Sequence, residues 1–440
     1  MSVGIAWLRG AFRLDDQPML VEAARRCDAL LIVAERSPGP RAGVHRRRFH
    51  LGSLAALDRA LGALDQGLHV LRETPGDEIP RLAERLGARG VWVGAAPGSE
   101  ERATLGRLER SLPETCRLHV GRDNRLFDAL PIEAGDWPMS FSKFRRKVER
   151  NLAPDPALDA PAALPPPPAG FDRAPPDRQA DDCGIFAGGE AAGRKRLDDY
   201  VFGQRRVLRY KQTRNGLLSF DDSTKFSPWL ANGCLSVRRV WSEVERFESG
   251  VEANQSTYWV KFELLWREYF RWLMDATGSA LFRAEGLADV PPEWRADAKR
   301  LQAWREGMTG VPLVDAAMRE LAATGYMSNR ARQNVASFLV KDLAQDWREG
   351  AAWFERQLVD YDVASNWGNW AYQAGTGTDT RERWFNVIGQ ARRYDPDAEY
   401  LAHWLPELRE LPSRDRFVPW KAAAPVAEYP APVVEDPRWS

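Results

Sequence analysis

Short apolar runs alternate with amphipathic segments along the first 121 residues of the chain. The apolar runs have the length and the aliphatic character of buried strands; they are 3–9, 29–35, 68–73, 91–95 and 117–121. The segments between them repeat apolar positions every three or four residues, which predicts helices; they are 46–64, 77–87 and 100–111. Strands that alternate with helices predict an α/β fold with a doubly wound parallel sheet.

Hydrophobic periodicity weakens between residues 122 and 190 and returns in a different form afterwards. The segment 160–170 is rich in proline, which favours extended, non-helical chain. Further on, long amphipathic patterns dominate, as in 256–274, where Phe262, Trp266 and Tyr269 recur at helical spacing. A second, nearly all-helical domain is therefore predicted.

These changes divide the chain into four parts. We predict an α/β domain over 1–125, an interdomain connector over 126–187, an all-helical domain over 188–425 and a short C-terminal tail over 426–440.

Charge, cysteine content and the absence of long apolar stretches bear on the partners, the metal and redox sites and the cellular location of the protein. Lys and Arg total 62, as do Asp and Glu, so the balance of charge neither supports nor excludes a nucleic-acid partner. The cysteines lie too far apart for a metal or redox motif, and reduced, buried thiols are predicted; they are Cys27, Cys116, Cys183 and Cys234. The amino terminus does not resemble a secretion signal and no long apolar stretch occurs, so a cytoplasmic protein without a membrane span is predicted.

The positions of the histidines and the absence of nucleotide-binding motifs exclude several kinds of site. Four histidines precede residue 120 and the fifth is His403, so histidine catalysis and a histidine metal site are not available between them. No metal is predicted. The first strand leads into residues 8–18, which contain neither of the usual glycine-rich phosphate motifs.

Several polar groups of the helical part could line a cavity. Glu263 and Arg267 share one helix face, where a surface ion pair is the simpler interpretation. The donor-rich residues Asn329, Arg330, Arg332 and Gln333 follow a Ser-Asn start typical of a helix N-terminus. Residues 223–227 form either a phosphate-binding turn or an ordinary helix start.

The sequence Asp-Tyr-Asp at 360–362 places two carboxylates at the end of a helical pattern, where the helix dipole disfavours them. Such a position indicates positive partners, for which Arg267 and Arg332 are candidates. The tryptophans are also uneven, since only three of the 18 precede residue 200. Large core residues are the simpler interpretation for most of the others.

Three long segments of the helical part are NQSTYWVKFELLWREYFRWL, GVPLVDAAMRELAATGYMSNRARQNVASFLVKDL and DWREGAAWFERQLVDYDVASNWGNWAYQAGTGTD. These segments resemble the flavin-binding domain of the photolyase/cryptochrome family. The resemblance extends over most of the chain, and GYMSNRARQNVASFLVKDL and SNWGNWAY are most similar to its cryptochrome DASH branch.

The resemblance implies FAD bound inside the helical domain. The matching positions are Tyr210, Ser223, Thr224, Lys225, Phe226, Ser227, Glu263, Arg267, Arg332, Asp360, Asp362 and Asn366. Asn366 matches the residue that faces flavin N5. Trp370, Trp347 and Trp294 match the tryptophan chain that carries electrons from the surface to the photoexcited flavin.

The resemblance further implies a pocket for a dimer of two adjacent pyrimidines of one strand. Glu263, Trp266, Asn329 and Tyr372 match its lining, and Arg330 is a candidate contact to DNA phosphate. Tyr372 and Gln333 stand where photolyases of duplex DNA usually carry tryptophan and methionine, and both are typical of the DASH branch. A smaller, more polar pocket offers less stacking energy to offset base flipping, so single-stranded DNA is the expected substrate.

The expected activity is that of a deoxyribodipyrimidine photo-lyase: blue-light-driven splitting of cyclobutane pyrimidine dimers by an electron from reduced FAD. A blue-light photoreceptor with little or no repair activity is the alternative, and a flavin-binding electron carrier is a third possibility. The resemblance also implies 5,10-methenyltetrahydrofolate as an antenna, with Glu101 as its contact, although a solvated helix start explains Glu101 equally well. A monomer is expected.

Overall fold

The computed structural model describes residues 2–121, 123–177, 184–379, 381, 383–423 and 426–439. Five strands form one parallel sheet in the order β3-β2-β1-β4-β5. The strands are β1 Val3–Trp7, β2 Ala29–Glu35, β3 Leu68–Leu71, β4 Gly90–Gly94 and β5 Arg117–Gly121. The predicted fold class is confirmed, and all five strands lie within one or two residues of the predicted runs.

Helices cover both faces of the sheet. In the first part of the chain they are α1 Pro18–Arg26, α2 Val44–Gly62, α3 Pro75–Leu86 and α4 Ser99–Ser111. Alternate residues of each strand point to opposite faces, so Ile5, Trp7 and Leu31 join one core while Ala6 and Leu30 join the other. The second of these cores continues into the helical domain and ties the two parts of the chain together.

The rest of the chain is helical. Its helices are α5 Phe141–Asn151, α6 Glu190–Asp198, α7 Tyr210–Thr213, α8 Ser227–Ala231, α9 Val237–Gly250, α10 Gln255–Thr277, α11 Ala298–Glu306, α12 Pro312–Thr324, α13 Asn329–Ser337, α14 Trp347–Gln357, α15 Val363–Ala374, α16 Val387–Tyr394, α17 Glu399–Trp404 and α18 Ser413–Arg416. No helix among the described residues is both long and apolar enough to cross a membrane.

The connector differs from the expectation at one point. Residues 152–168 form neither helix nor strand, as the prolines predict, but α5 is a regular helix packed on α10. Phe141 and Phe144 bury its apolar side, and Phe141 stacks on Trp266 with ring centroids 3.7 Å apart. Because six of the 11 residues of α5 are charged and only three are buried and apolar, its periodicity was too weak to predict a helix. The boundaries of the four predicted parts stay a prediction.

The thiols agree in part with the prediction. Cys27, Cys116 and Cys234 are free, the last two buried and the first half-buried, while Cys183 lies outside the described residues.

Helices α10 and α15 pack closely and bring their polar residues together. Asn254 caps the start of α10 by accepting hydrogen bonds from Ser256 and Thr257. In α15, a Cβ atom at Gly368 would collide with the Phe270 ring, so a glycine is needed for this close approach.

Candidate functional site

Two adjoining cavities lie in the helical domain, with volumes of about 420 and 260 Å³. They share eight lining residues: Arg214, Glu263, Arg267, Asn329, Arg332, Asp360, Asp362 and Ser365. Together they form one continuous site bounded by α10, α13, α15 and the loop before α8. All twelve residues predicted to hold a cofactor lie on its wall.

The loop before α8 forms one end of the site. The Arg196 guanidinium donates to the carbonyls of Ser223 and Thr224, at 3.0 and 2.9 Å, and so supports the loop from behind. Lys225 has a left-handed backbone conformation with φ of 57°, and its ammonium lies 4.7 Å from the centre of the Tyr326 ring. The loop therefore presents its amides and hydroxyls to the cavity in a fixed shape.

The buried Asp360 and the half-buried Arg332 form an ion pair across the site. Arg332 Nη2 donates to Asp360 Oδ2 at 2.8 Å, and the Ser227 hydroxyl donates to the same oxygen at 2.6 Å. Arg332, one of the two candidate partners of the carboxylates, is confirmed as a partner of Asp360. The second oxygen of Asp360 is buried and has no hydrogen-bond partner. An orphaned carboxylate oxygen on the wall indicates that the site is built for a ligand with hydrogen-bond donors.

Asp362 pairs with neither of the two arginines that were candidates for the carboxylates. Arg271 Nη2 donates to Asp362 Oδ2 at 2.6 Å, whereas Arg267 donates to the carbonyls of Asn124 and Leu230. The helix-end interpretation of Asp362 was also wrong. Asp362 is the N-cap of α15 and accepts from the Ser365 amide at 2.8 Å, so the helix dipole favours its charge.

The charges around Asp362 are strongly perturbed. Burial opposes its ionisation, but Arg271 and Arg267 together hold the pKa of Asp362 well below its usual range. Burial, and then the neighbouring Arg271, lowers the pKa of Arg267 to about 9. No carboxylate among the described residues lies within ion-pair distance of Arg267. Arg267 is thus a half-buried cation on the cavity wall, and an anionic ligand would stabilise its charge.

Glu263 does not form the surface ion pair with Arg267 that its spacing allows. Its carboxylate accepts a hydrogen bond from Arg214, and both residues line the two cavities. Burial raises the pKa of Glu263, although Arg214 opposes this shift. A carboxyl group with a raised pKa can donate a hydrogen bond to a ligand carbonyl when it is protonated.

The larger cavity has an aromatic end. Trp266 meets Tyr372 edge to face, with ring centroids 5.5 Å apart. The Tyr372 hydroxyl donates to Asp379 at 3.1 Å and accepts from Arg383, whose guanidinium lies 4.0 Å from the ring centre. The Gln333 side-chain oxygen is buried on the same wall without a partner. This end therefore offers stacking surface with an unpaired acceptor beside it.

Of the two other residues predicted to contact DNA, one lines the cavities and the other lies outside them. Asn329 is exposed and lines both cavities. Arg330 is not on the cavity wall. Its guanidinium donates to the Asn215 side-chain oxygen and lies 4.8 Å from the centre of the Tyr394 ring.

The three tryptophans of the predicted electron chain differ in burial, and only Trp370 lines the cavity. Trp370 is buried on the cavity wall against α14, where a Cβ atom at Gly350 would collide with its ring. Trp347 begins α14 one turn before Gly350, is buried, and donates to the Ala284 carbonyl at 3.0 Å. Trp294 is half-buried, and the Arg348 guanidinium lies 5.7 Å from its ring centre.

A separate cavity of about 340 Å³ lies between the sheet domain and the helical domain. Glu101, the predicted antenna contact, is on its wall, and its backbone carbonyl accepts from Arg9 at 3.2 Å. Glu35 lies on the same wall, and burial raises the pKa of this carboxyl to about 7. The cavity thus combines apolar surface with carboxyl groups that can bind a polar heterocycle.

Sequence reasoning missed several residues of these sites. Arg271 follows Arg267 by one helical turn, and this spacing could have indicated it. Arg383 follows Asp379 at the same spacing and could have been found in the same way. Phe354 and Tyr361 line the larger cavity, but nothing in the local sequence distinguishes them from core residues. Among the described residues no cluster of three or more His, Cys, Asp or Glu side chains could hold a metal ion.

Known proteins are similar to this chain over nearly its whole length. Two family models match it, DNA photolyase over residues 4–168 and the FAD binding domain of DNA photolyase over residues 259–438. A cryptochrome DASH of Gloeobacter violaceus is 43% identical, with 98% of this chain and 93% of that protein aligned.

Solved structures agree with these matches. A cryptochrome of Synechocystis superposes with a TM-score of 0.92 at 38% identity, covering 99% of this chain and 97% of its own. A bacterial class III photolyase from Agrobacterium tumefaciens gives a TM-score of 0.87 at 28% identity, covering 100% and 95%. The chain therefore belongs to the photolyase/cryptochrome family, within it to the cryptochrome DASH branch, and its helical part is an FAD-binding domain.

Proposed function

We propose that this protein uses blue light to split cyclobutane pyrimidine dimers and that it prefers single-stranded DNA. The observation that carries the proposal is the continuity of the site. The wall that holds the predicted FAD residues leads without interruption to the aromatic end at Trp266 and Tyr372. A damaged base turned out of its strand would be held there beside the cofactor.

The chain's own residues account for binding and positioning. The orphaned oxygen of Asp360, the half-buried Arg267 and the loop 223–227 fit a ligand that carries both phosphate charge and hydrogen-bond donors, as FAD does. Bound reduced FAD would supply the electron that opens the dimer and would take it back afterwards. Asn366 donates to the Ala351 carbonyl at 3.0 Å, which fixes its amide on the cavity wall.

Lesion recognition is assigned to the aromatic end. Trp266 and Tyr372 would stack on the flipped pyrimidines, and Asn329 would contact them from the rim. Protonated Glu263 would donate to a pyrimidine carbonyl, which its raised pKa favours. Gln333 would accept from a pyrimidine N–H through its unpaired oxygen. Arg330, outside the cavity, would contact backbone phosphate.

The preference for single strands follows from the cost of flipping. Removing a base from a duplex costs a few kcal/mol, so duplex binding should be about 100-fold weaker than binding to a single strand. Oligonucleotides that contain one dimer, in single-stranded and duplex form, are incubated with the purified protein in blue light and in the dark. Light-dependent loss of the dimer mainly from the single strand is expected.

The variant Tyr372→Trp serves as the matched comparison in this assay. A larger ring adds about 1 kcal/mol of stacking, which should improve duplex binding about fivefold. Equal repair of both substrates by the unchanged protein would contradict the strand preference. Light-driven reduction of the flavin without repair of either substrate would favour the photoreceptor, and absence of bound flavin would overturn both functions.

The cavity between the domains is proposed to hold an antenna of the 5,10-methenyltetrahydrofolate type. The support is its carboxyl-bearing wall, where Glu101 would accept from the pterin ring. Losing a hydrogen bond to a charged group costs about 1.5–3 kcal/mol, so Glu101→Ala should weaken folate binding at least about tenfold. Glu109→Ala is the control, because Glu109 is exposed on the same helix and does not line this cavity. Titration of folate, followed by its absorption, measures both, and equal affinities of the two variants would refute the contact.

A further inference from the structure

Trp367 and Tyr361 connect the predicted electron chain to the cavity between the domains. The Trp367 ring meets Trp347 edge to face with centroids 5.8 Å apart. Its indole N–H donates to the hydroxyl oxygen of Tyr361 at 3.3 Å. Tyr361 lines both the large cavity of the helical domain and the cavity between the domains. Van der Waals contact and one hydrogen bond thus link Trp347 through Trp367 to Tyr361, which lines the cavity between the domains.

The surroundings of Tyr361 suit a phenol that loses an electron and a proton together. Burial, followed by the Glu355 carboxylate, raises the pKa of Tyr361, so its resting state is protonated. Its oxygen accepts from Trp367, which leaves its own hydrogen directed elsewhere. The Arg46 guanidinium lies 4.5 Å from the ring centre and opposes a positive charge on the ring. Oxidation is therefore favoured only if the proton leaves.

We propose that Trp367 and Tyr361 form a side branch of the electron chain that ends at Tyr361. This inference rests on the proposed function, because the branch begins at Trp347. After Trp347 has lost one electron inward through Trp370 to the photoexcited flavin, one electron passes from Trp367 to Trp347 and one from Tyr361 to Trp367. The phenol proton passes to water in the cavity between the domains. The net change is one electron gained by the flavin, one neutral tyrosyl radical and one released proton.

The branch differs from the exit at Trp294 in its electrostatics. Trp294 lies under the Arg348 guanidinium, which opposes a positive charge on that indole. Tyr361 avoids this cost because deprotonation leaves a neutral radical. The radical on Tyr361 should therefore live longer than a radical on Trp294, which lies beside an arginine.

Electron paramagnetic resonance of the illuminated holoprotein tests the branch directly. With Trp294→Phe, flavin photoreduction should continue and a tyrosyl signal should form, whose hyperfine pattern changes when ring-deuterated tyrosine is incorporated. The double variant Trp294→Phe, Tyr361→Phe should lose this signal, and its radical pair should decay at least tenfold faster. Trp294→Phe with Trp367→Phe should behave in the same way, since the link to Trp347 is then broken.

The control is Trp294→Phe combined with Tyr258→Phe, which removes a half-buried phenol bound to Glu149 at the start of α10. It should keep the tyrosyl signal. Equal decay with and without Tyr361 in the Trp294→Phe background would overturn the branch. Failure of the proposed electron chain would look different, because Trp370→Phe would then still photoreduce its flavin.

Discussion

Replacing Trp370 by phenylalanine is expected to abolish light-driven reduction of the bound flavin. Of the three predicted chain tryptophans, Trp370 is the one on the cavity wall, so it is the expected direct donor to the flavin. A phenyl ring keeps the packing against α14 but is much harder to oxidise than an indole. The flavin absorption, followed under blue light with a thiol reductant, should then change no faster than in a sample kept in the dark.

Trp304→Phe is the matched control for this experiment. Trp304 is fully buried and meets the Trp370 ring edge to face at 6.3 Å, but its N–H donates to the Val335 carbonyl inside the core. If electrons travel through Trp347, this variant should photoreduce at nearly the original rate. Photoreduction that survives Trp370→Phe would contradict the chain, and loss with Trp304→Phe alone would move the path to Trp304.

The sheet and most helices could be predicted because their signals are local. The strands β2 and β5 were predicted with their observed bounds, since the residues that favour a strand begin and end at the same positions as the strand itself. Helix α10 was predicted almost in full, but the role of its aromatic stripe was not. Phe262 and Trp266 line the cavity, while Tyr269 and Leu273 are core residues of the same stripe. Periodicity identifies a face of a helix and does not show what that face meets.

The residues that line the site were predicted, but the ion pairs between them were predicted only in part. The cofactor residues came from resemblance to a family, because no local pattern unites the loop 223–227 with Asp360 and Asn366. Charge alone suggested Arg332 and Arg267 as partners for the two carboxylates, and only the first pairing is observed. Asp362 pairs instead with Arg271, 91 residues earlier in the chain. Such a choice depends on how α10 and α15 pack, which the sequence of neither helix contains.

Asp362→Asn should destabilise the protein by about 3–5 kcal/mol, because it leaves the buried Arg271 guanidinium without its counter-charge. Asn is as good an N-cap as Asp, so the start of α15 is preserved and the change isolates the charge. The free energy of unfolding in denaturant measures the effect. Asp297→Asn is the control: Asp297 caps α11 at the surface, where Arg300 is a partly exposed partner, and the loss there should stay below about 1 kcal/mol.

The pH dependence separates this charge from a merely structural fault. The folded-state pKa of Asp362 is lowered by Arg271 and Arg267, so its ionisation stabilises the fold above the unfolded-state pKa of about 4. That stabilisation is lost as the pH falls from there toward the folded-state pKa, and the asparagine variant has none to lose. The two unfolding free energies should therefore differ fully at neutral pH and converge below about pH 4. A difference that stays constant across this range would show that the variant acts through packing and that the Asp362 charge does not stabilise the fold.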